Sequence, residues 1–284
     1  MPDDKQKSNL FKAHQNVRRH GSTVLLDDCS VRNNILPSRL MGIRIVSFTF
    51  QQILEKLIDA LAGTSQNSPY KVAFLNAHNT NVAMSDSDYR HGLSKFDFVF
   101  PDGVGLRIAG FWLNLNLLSN APGTDLIPAL LRHNKCHGIQ VFLLGHKPEA
   151  EERVIRCFTH EFSNVVLAGY HHGFFNPEED NIVIDQINSS GADLLLIGMG
   201  TPKQEKWLIS HYEKLRPRLQ ITVGGLFQYW DGSLVRAPKI ARRLGLEWFC
   251  ILCQQPHKWK RYILGNPLFI LRIIKERHAL KRQQ

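Results

Sequence analysis

Asp102 follows the apolar run 98–100 and Pro101, and Gly103-Val104-Gly105 comes directly after it. A carboxylate delivered by a strand end into a sharp turn can take a proton from an attacking hydroxyl, provided its surroundings hold its pKa near the working pH. The same Asp-Gly pair also suits an ordinary turn, in which the carboxylate satisfies nearby N–H groups. A second junction offers anion chemistry: run 194–197 leads into Gly198-Met199-Gly200-Thr201-Pro202-Lys203-Gln204-Glu205. Its glycines let backbone approach a ligand, and Thr201 and Pro202 suit the N-cap and first position of a helix whose free N–H groups attract phosphate. Lys203 adds a full charge. Thr201 and Gln204 equally compose a plain capping box. The pattern is neither a Walker loop nor a G-x-G-x-x-G fingerprint. A nicotinamide-dependent oxidoreductase is the rival enzyme class, and it calls for that fingerprint after the first strand, where Ser47-Phe48-Thr49-Phe50 stands instead.

Three further stretches carry polar groups at run ends. Leu75-Asn76-Ala77-His78-Asn79 offers two amides and an imidazole for a sugar or base, or, in the case of Asn79, a helix cap. Val223-Gly224-Gly225-Leu226-Phe227 permits either close ligand approach or a tight turn, and Arg236-Ala237-Pro238 leads into a further helix. Asp86-Ser87-Asp88 matches a metal-binding D-x-D pattern but falls inside a helical stretch, so no metal site is assigned to it. Cys250-x-x-Cys253 lacks a second ligand pair and reads as part of a helix. His171-His172 has no ligand spacing. No metal and no cofactor are expected.

The elements that must position these groups are legible as apolar runs at 43–48, 71–75, 98–100, 140–144, 165–168, 194–197 and 220–223. Helical periodicity occupies 49–62, 78–94, 104–113, 124–134, 147–160, 178–189 and 202–215 between them. Strands separated by helices predict an α/β fold, a Rossmann-like and mostly parallel sheet with helices on both faces. Ligands bind such sheets outside the carboxyl ends of the strands, where the residues above lie. Residues 1–40 mix charges without periodicity and read as a loosely ordered arm, 41–245 as the α/β core, and 246–284 as a basic helical appendage.

The net charge of +10 points to polyanionic partners: nucleic acid, anionic lipid or phosphorylated substrates. Its distribution separates them. Between Pro256 and Gln284 eight Lys and Arg residues face the single acid Glu276, leaving +7, and apolar residues interleave with them from Trp259 to Ile274. Such a segment suits the interface of an anionic bilayer, so a membrane surface is expected and nucleic acid is not. Truncation after Pro256 is expected to leave the core folded; the alternative is a tail that packs on the core with its charges simply solvated. No run reaches the ~18 apolar residues of a membrane span. The first ten residues lack a signal-peptide core, and the five scattered cysteines imply no disulfide framework. The expected location is therefore cytoplasmic, peripheral on the inner face of the plasma membrane. A homo-oligomer remains open.

LNAHN, PDGVG, APGTDL, GFF, GMGTPKQEKW, VGGLF, RAP and GLEW, in that order, resemble the WecB/TagA/CpsF glycosyltransferases over roughly residues 43–262. The resemblance implies an inverting, metal-independent enzyme that moves an N-acetylmannosamine-type or related sugar from a UDP-sugar donor to a saccharide carried on undecaprenyl diphosphate. It makes Asp102 the general base. It assigns Gln204 to the substrate pocket and Lys258 and Arg261 to a basic set on the appendage; with the residues read above, the expected substrate-binding set is Asn76, Asn79, Gly103, Asp125, Gly200, Thr201, Lys203, Gln204, Gly224, Gly225, Arg236, Lys258 and Arg261. Phe74 stands where the family often carries threonine, and Asn120 and Ile251 where it tends to carry arginine. These three positions motivate the alternative of a catalytically degenerate glycan- or nucleotide-binding homologue.

Overall fold

The computed structural model describes residues 38–63, 69–115, 117 and 121–283. The expected arm, 1–40, lies almost wholly outside them, as does Asn120. Pro37–Gln284 form one compact unit.

The first expected strand is the first correction. Ile43–Ile45 (β2) pairs antiparallel with Ser38–Leu40 (β1) in a small hairpin outside the main sheet. The turn between them uses Met41 and Gly42, both at positive φ. Thr49 then opens helix α1 (Phe50–Leu61) with a complete capping box to Gln52.

The main sheet contains Tyr70–Leu75 (β3), Phe98–Pro101 (β4), Gln140–Gly145 (β5), Val166–His171 (β6), Leu194–Gly198 (β7) and Leu219–Thr222 (β8). Its order is β4-β3-β8-β7-β5-β6 and every pairing is parallel, as the alternating pattern predicts. Parallel strands need both faces covered, and Leu194, Leu195, Leu196 and Ile197 are accordingly inaccessible to solvent. β3 and β4 lie on one side of β8, and β5 to β7 on the other, so a crevice opens at the carboxyl edge around β3 and β8.

The helix expected over 78–94 is two helices, α2 (Ala77–Ser85) and α3 (Ser87–Leu93). Asp86 causes the break. Its backbone is extended, its Oδ1 accepts from the Tyr89 N–H at 2.9 Å, and its Oδ2 pairs with Lys206 at 2.7 Å. The D-x-D aspartate is thus spent on a cap and an ion pair. Next come α4 (Val104–Leu113), α5 (Gly123–Leu131), α6 (Glu151–Glu161), α7 (Asp180–Ser189) and α8 (Lys203–His211). Thr201 does not cap α8: that position falls to Pro202, so the anticipated Thr201–Gln204 capping box is absent.

The C-terminal part is helical and packs on the core. After α9 (Phe227–Trp230), α10 (Lys239–Arg243) and α11 (Glu247–Gln254), the chain makes a π-helical turn at Lys260–Leu264 and continues as α12 (Gly265–Gln283). Pro267 lies inside this helix; it has no N–H for Ile263, and the wider turn just upstream accommodates that loss. α12 packs on α2 and α4. Phe269 and Ile273 are 1% and 0% exposed, and a Cβ on Gly105 would stand 3.1 Å from the Ala77 Cβ, so the glycine lets α4 lie close against α2 beside the Phe269 ring. Asn81 Nδ2 donates to the Gly265 carbonyl at 2.7 Å, and Arg272 returns to the Asn81 carbonyl and Oδ1 at 3.0 and 2.8 Å. Among the described residues no helix is long and apolar enough to cross a membrane.

Candidate active site

Strand register creates the centre of the site. Leu75 of β3 pairs with Pro101 of β4, so Asn76 and Asp102 leave the sheet side by side, and the Asp102 N–H donates to the Leu75 carbonyl at 2.8 Å. Asn76 caps α2: its Oδ1 accepts from the Asn79 N–H at 3.0 Å. That fixes the amide orientation and leaves Nδ2 to donate to the Asp102 carboxylate. Gly103 follows at φ 88°, a left-handed conformation open to glycine, and turns the chain into α4. Burial, reinforced by the nearby Glu247 carboxylate, pushes the Asp102 carboxyl up to about 6; Asn76, Arg236 and Arg261 oppose the rise. A carboxyl of that strength is mostly ionised at neutral pH yet basic enough to accept a proton.

A positive cluster faces it from the tail. Burial and the neighbouring Arg261 lower the Lys258 ammonium to about 8. His78, from the first turn of α2, falls to about 4 through burial, then Arg261 and Lys258. Neither Lys258 nor Arg261 makes a salt bridge among the described residues, and Arg261 Nε is buried without a partner. Like charges held close together raise each other's energy, and a bound anion relieves that.

The two glycine turns are joined by one side chain. Gln204 is 3% exposed; its Oε1 accepts from the Gly224 N–H at 3.0 Å and the Gly200 N–H at 3.3 Å, and its Nε2 donates to Glu205 Oε1 at 2.7 Å. Gln204 therefore ties the β7 and β8 turns together. Thr201 also donates to Glu205 Oε1, at 3.1 Å. Glu205 is pushed up to about 7 by burial. Lys203 points elsewhere, its ammonium donating to the Gly173 carbonyl at 2.7 Å over the Phe175 ring. Gly224 and Gly200 adopt positive φ with nothing within 4 Å of a Cβ on either, whereas Gly225 sits against Gln228.

Arg236 closes the other wall. It pairs with Asp125 at 2.9 Å and Glu247 at 3.0 Å and donates to Thr124 Oγ1, while Arg242 reaches Asp125 at 3.4 Å. The GTD turn, the RAP segment and the GLEW turn are thereby clamped together. Asn79 faces inward, with its amide on the Phe74 carbonyl at 2.9 Å. Phe74 itself packs its ring where a Cβ on Gly123 would come within 3.2 Å, so this position supplies packing under the GTD turn. Ile251 lies partly buried on α11. The structure thus brings Asn76, Asp102, Arg236, Lys258 and Arg261 to one place and adds Glu247 and His78. Glu247 stood within GLEW, but nothing local marks it as a neighbour of Asp102. Among the described residues no group of three or more His, Cys, Asp or Glu side chains is arranged to hold a metal ion.

The family model for the "Glycosyl transferase WecG/TagA/CpsF family" matches residues 38–283. The chain belongs to this family of glycosyltransferases. It is 32% identical over 206 residues to the N-acetylglucosaminyldiphosphoundecaprenol N-acetyl-beta-D-mannosaminyltransferase of Bacillus subtilis, covering 72% of this chain and 79% of that one. It is 28% identical over 253 residues to the protein of the same name from Staphylococcus aureus, covering 88% and 97%. The family expected from the motifs is borne out, and Asp102 with its cationic neighbours becomes the natural place to look for the transfer step.

Proposed function

We propose that this glycosyltransferase moves an N-acetylmannosamine-type sugar from a UDP-sugar to a saccharide on undecaprenyl diphosphate, with N-acetylglucosamine as the acceptor sugar, in cell-surface polysaccharide synthesis. The names of the relatives support the transferred sugar and the acceptor. The observation that carries the chemistry is the raised Asp102 carboxyl, held by Asn76 beside a cationic cluster without a salt bridge. Asp102 takes the proton from the acceptor hydroxyl as its oxygen attacks the anomeric carbon. The bond to the UDP oxygen breaks on the opposite side, and configuration inverts. Lys258 and Arg261 stabilise the charge developing on the departing diphosphate, which makes a metal unnecessary. Gly200, Thr201, Gly224 and Gly225 shape the cleft, with Gln204 holding their turns in register.

The reaction belongs at the inner face of the plasma membrane. Its support is the tail surface: Trp259, Ile263, Leu264, Leu268 and Leu271 are exposed among the basic residues of the appendage. The test offers the protein a panel of UDP-sugars with N-acetylglucosaminyl-diphosphate lipid and follows UDP release, product configuration and chelator sensitivity. Turnover with inversion in the presence of chelator is the expected result. Retention of configuration, or activity that depends on added Mn²⁺, overturns the scheme.

A further inference from the structure

A groove in the tail lies beside the catalytic carboxylate and is not used by the chemistry above. It has a volume of about 620 Å³ between α11 and the start of α12, within the ~300–1,000 Å³ of small-molecule sites. Trp248, Tyr262, Ile263, Pro267, Ile270 and Leu271 form its apolar wall, with Asn266 among them. Ile263 and Leu271 remain 50% and 57% exposed on its rim, an unusual expense of apolar surface for a protein face with no function.

Its walls are continuous with the site through two adjacent residue pairs. Glu247 sits against Arg236 and raises Asp102, while its neighbour Trp248 lines the groove. Arg261 acts on Asp102, His78 and Lys258, while its neighbour Tyr262 lines the groove. Burial raises the Tyr262 phenol, Arg261 opposes the rise, and the Glu247 and Asp102 carboxylates add to it, so its ring stands at the boundary between the two compartments. A ligand crossing that boundary meets, in order, a base, a pair of cations and an apolar trough. A sugar diphosphate esterified to a hydrocarbon chain presents the complementary sequence: hydroxyl, anion, hydrocarbon.

We propose that this groove is a binding subsite for the first isoprene units of the acceptor's polyprenyl chain. The identity of the chain rests on the acceptor reading given above. The subsite accounts for how a lipid acceptor is drawn from a bilayer far enough to place its sugar at Asp102: the proximal chain exchanges lipid contacts for protein contacts of equal polarity. It also makes the enzyme sensitive to the isoprenoid nature and length of the near end of the lipid.

The experiment measures binding of a farnesyl (C15) diphosphate and of methyl diphosphate to the full chain by calorimetry in detergent-free buffer. Transfer to acceptors of increasing isoprenoid length is measured in parallel. Ile263→Ser and Leu271→Ser change exposed rim positions, and Leu280→Ser, an exposed apolar position of α12 outside the groove, is the control. The parent and L280S are expected to bind the C15 probe at least tenfold tighter than methyl diphosphate. I263S and L271S are expected to lose most of that difference, with KM rising for long acceptors and kcat/KM unchanged for the shortest. Equal binding of the two probes by the parent, or an undiminished chain-length preference in both rim variants, overturns the subsite. So does loss of the preference in L280S to the same extent, which indicates general bilayer insertion. A parent that binds C15 diphosphate through the rim residues yet transfers no sugar to any acceptor upholds the groove and removes the proposed function instead.

Discussion

The two halves of the candidate site are built in different ways. Asn76 and Asp102 are placed by the register of adjacent parallel strands, and a hydrogen bond from the Asp102 backbone to Leu75 locks them there. Lys258 and Arg261 come from a short helical turn and a π turn, whose position depends on α12 remaining seated on α2 and α4. The proposed base is therefore as rigid as the sheet, whereas the positive charge is as stable as the docking of one helix. Chemistry that needs both is complete only when the tail is in place, which links catalysis to whatever engages the tail's outer surface.

The comparison can be broken most severely from the sheet side. Asp102→Asn keeps size and hydrogen bonding but removes the base, and turnover is expected to fall about 10²–10⁴-fold; steady-state rates alongside an unchanged melting curve check this. From the tail side, Phe269→Ala removes a ring that is 1% exposed, and ~3–5 kcal/mol of stability is expected to go with it. Denaturant titration, together with proteolysis near the π turn, should show the tail loosening before the sheet does. Arg261→Ala leaves the packing of α12 intact, and kcat is expected to drop about 10²-fold, with a much smaller change in acceptor KM.

The pH response sharpens the contrast. With Asp102 raised to about 6, the ionised base is lost as pH falls through that value, so kcat/KM at pH 5 is expected to be about tenfold below its plateau. Glu205 offers the smallest effect and acts on stability. Its folded-state value of about 7 lies above its ordinary 4.5, so the folded protein holds that proton to higher pH than the unfolded chain does. Stability from this group is full below about 4.5 and is lost as pH rises through about 7. Glu205→Gln should flatten that part of the pH–stability curve by ~1–3 kcal/mol, read as melting temperatures at pH 5 and 8.

Strands were legible because a buried parallel sheet writes continuous apolar runs: 71–75, 98–100, 140–144 and 194–197 fall within β3, β4, β5 and β7. Run 43–48 looked the same but ends in a hairpin, since nothing local distinguishes a strand that pairs with its neighbour from one that joins the main sheet. Asp86 split a helix that periodicity had joined, because a cap interrupts the backbone without interrupting the apolar stripe. In the site, Asp102 and Asn76 could be read from their place after a strand. The service of Gln204 as a tie between two turns, of Lys203 as a donor to Gly173, and of Glu247 as a neighbour of Asp102 could not, because each depends on a contact between segments far apart in the chain. Tail charge was visible in composition. The burial of Phe269 and Ile273 was not, since their spacing of four residues also suits a helix lying on a bilayer.

The π turn at Lys260–Leu264 carries one residue more than an α-helical turn would. Deleting one residue there would restore a regular helix and rotate everything upstream by about 100° relative to α12. Arg261 would swing away from Asp102, and Tyr262 would no longer divide the site from the groove. Reading-frame-preserving deletions in this turn should therefore be far less tolerated in descendants of this gene than substitutions at the same positions.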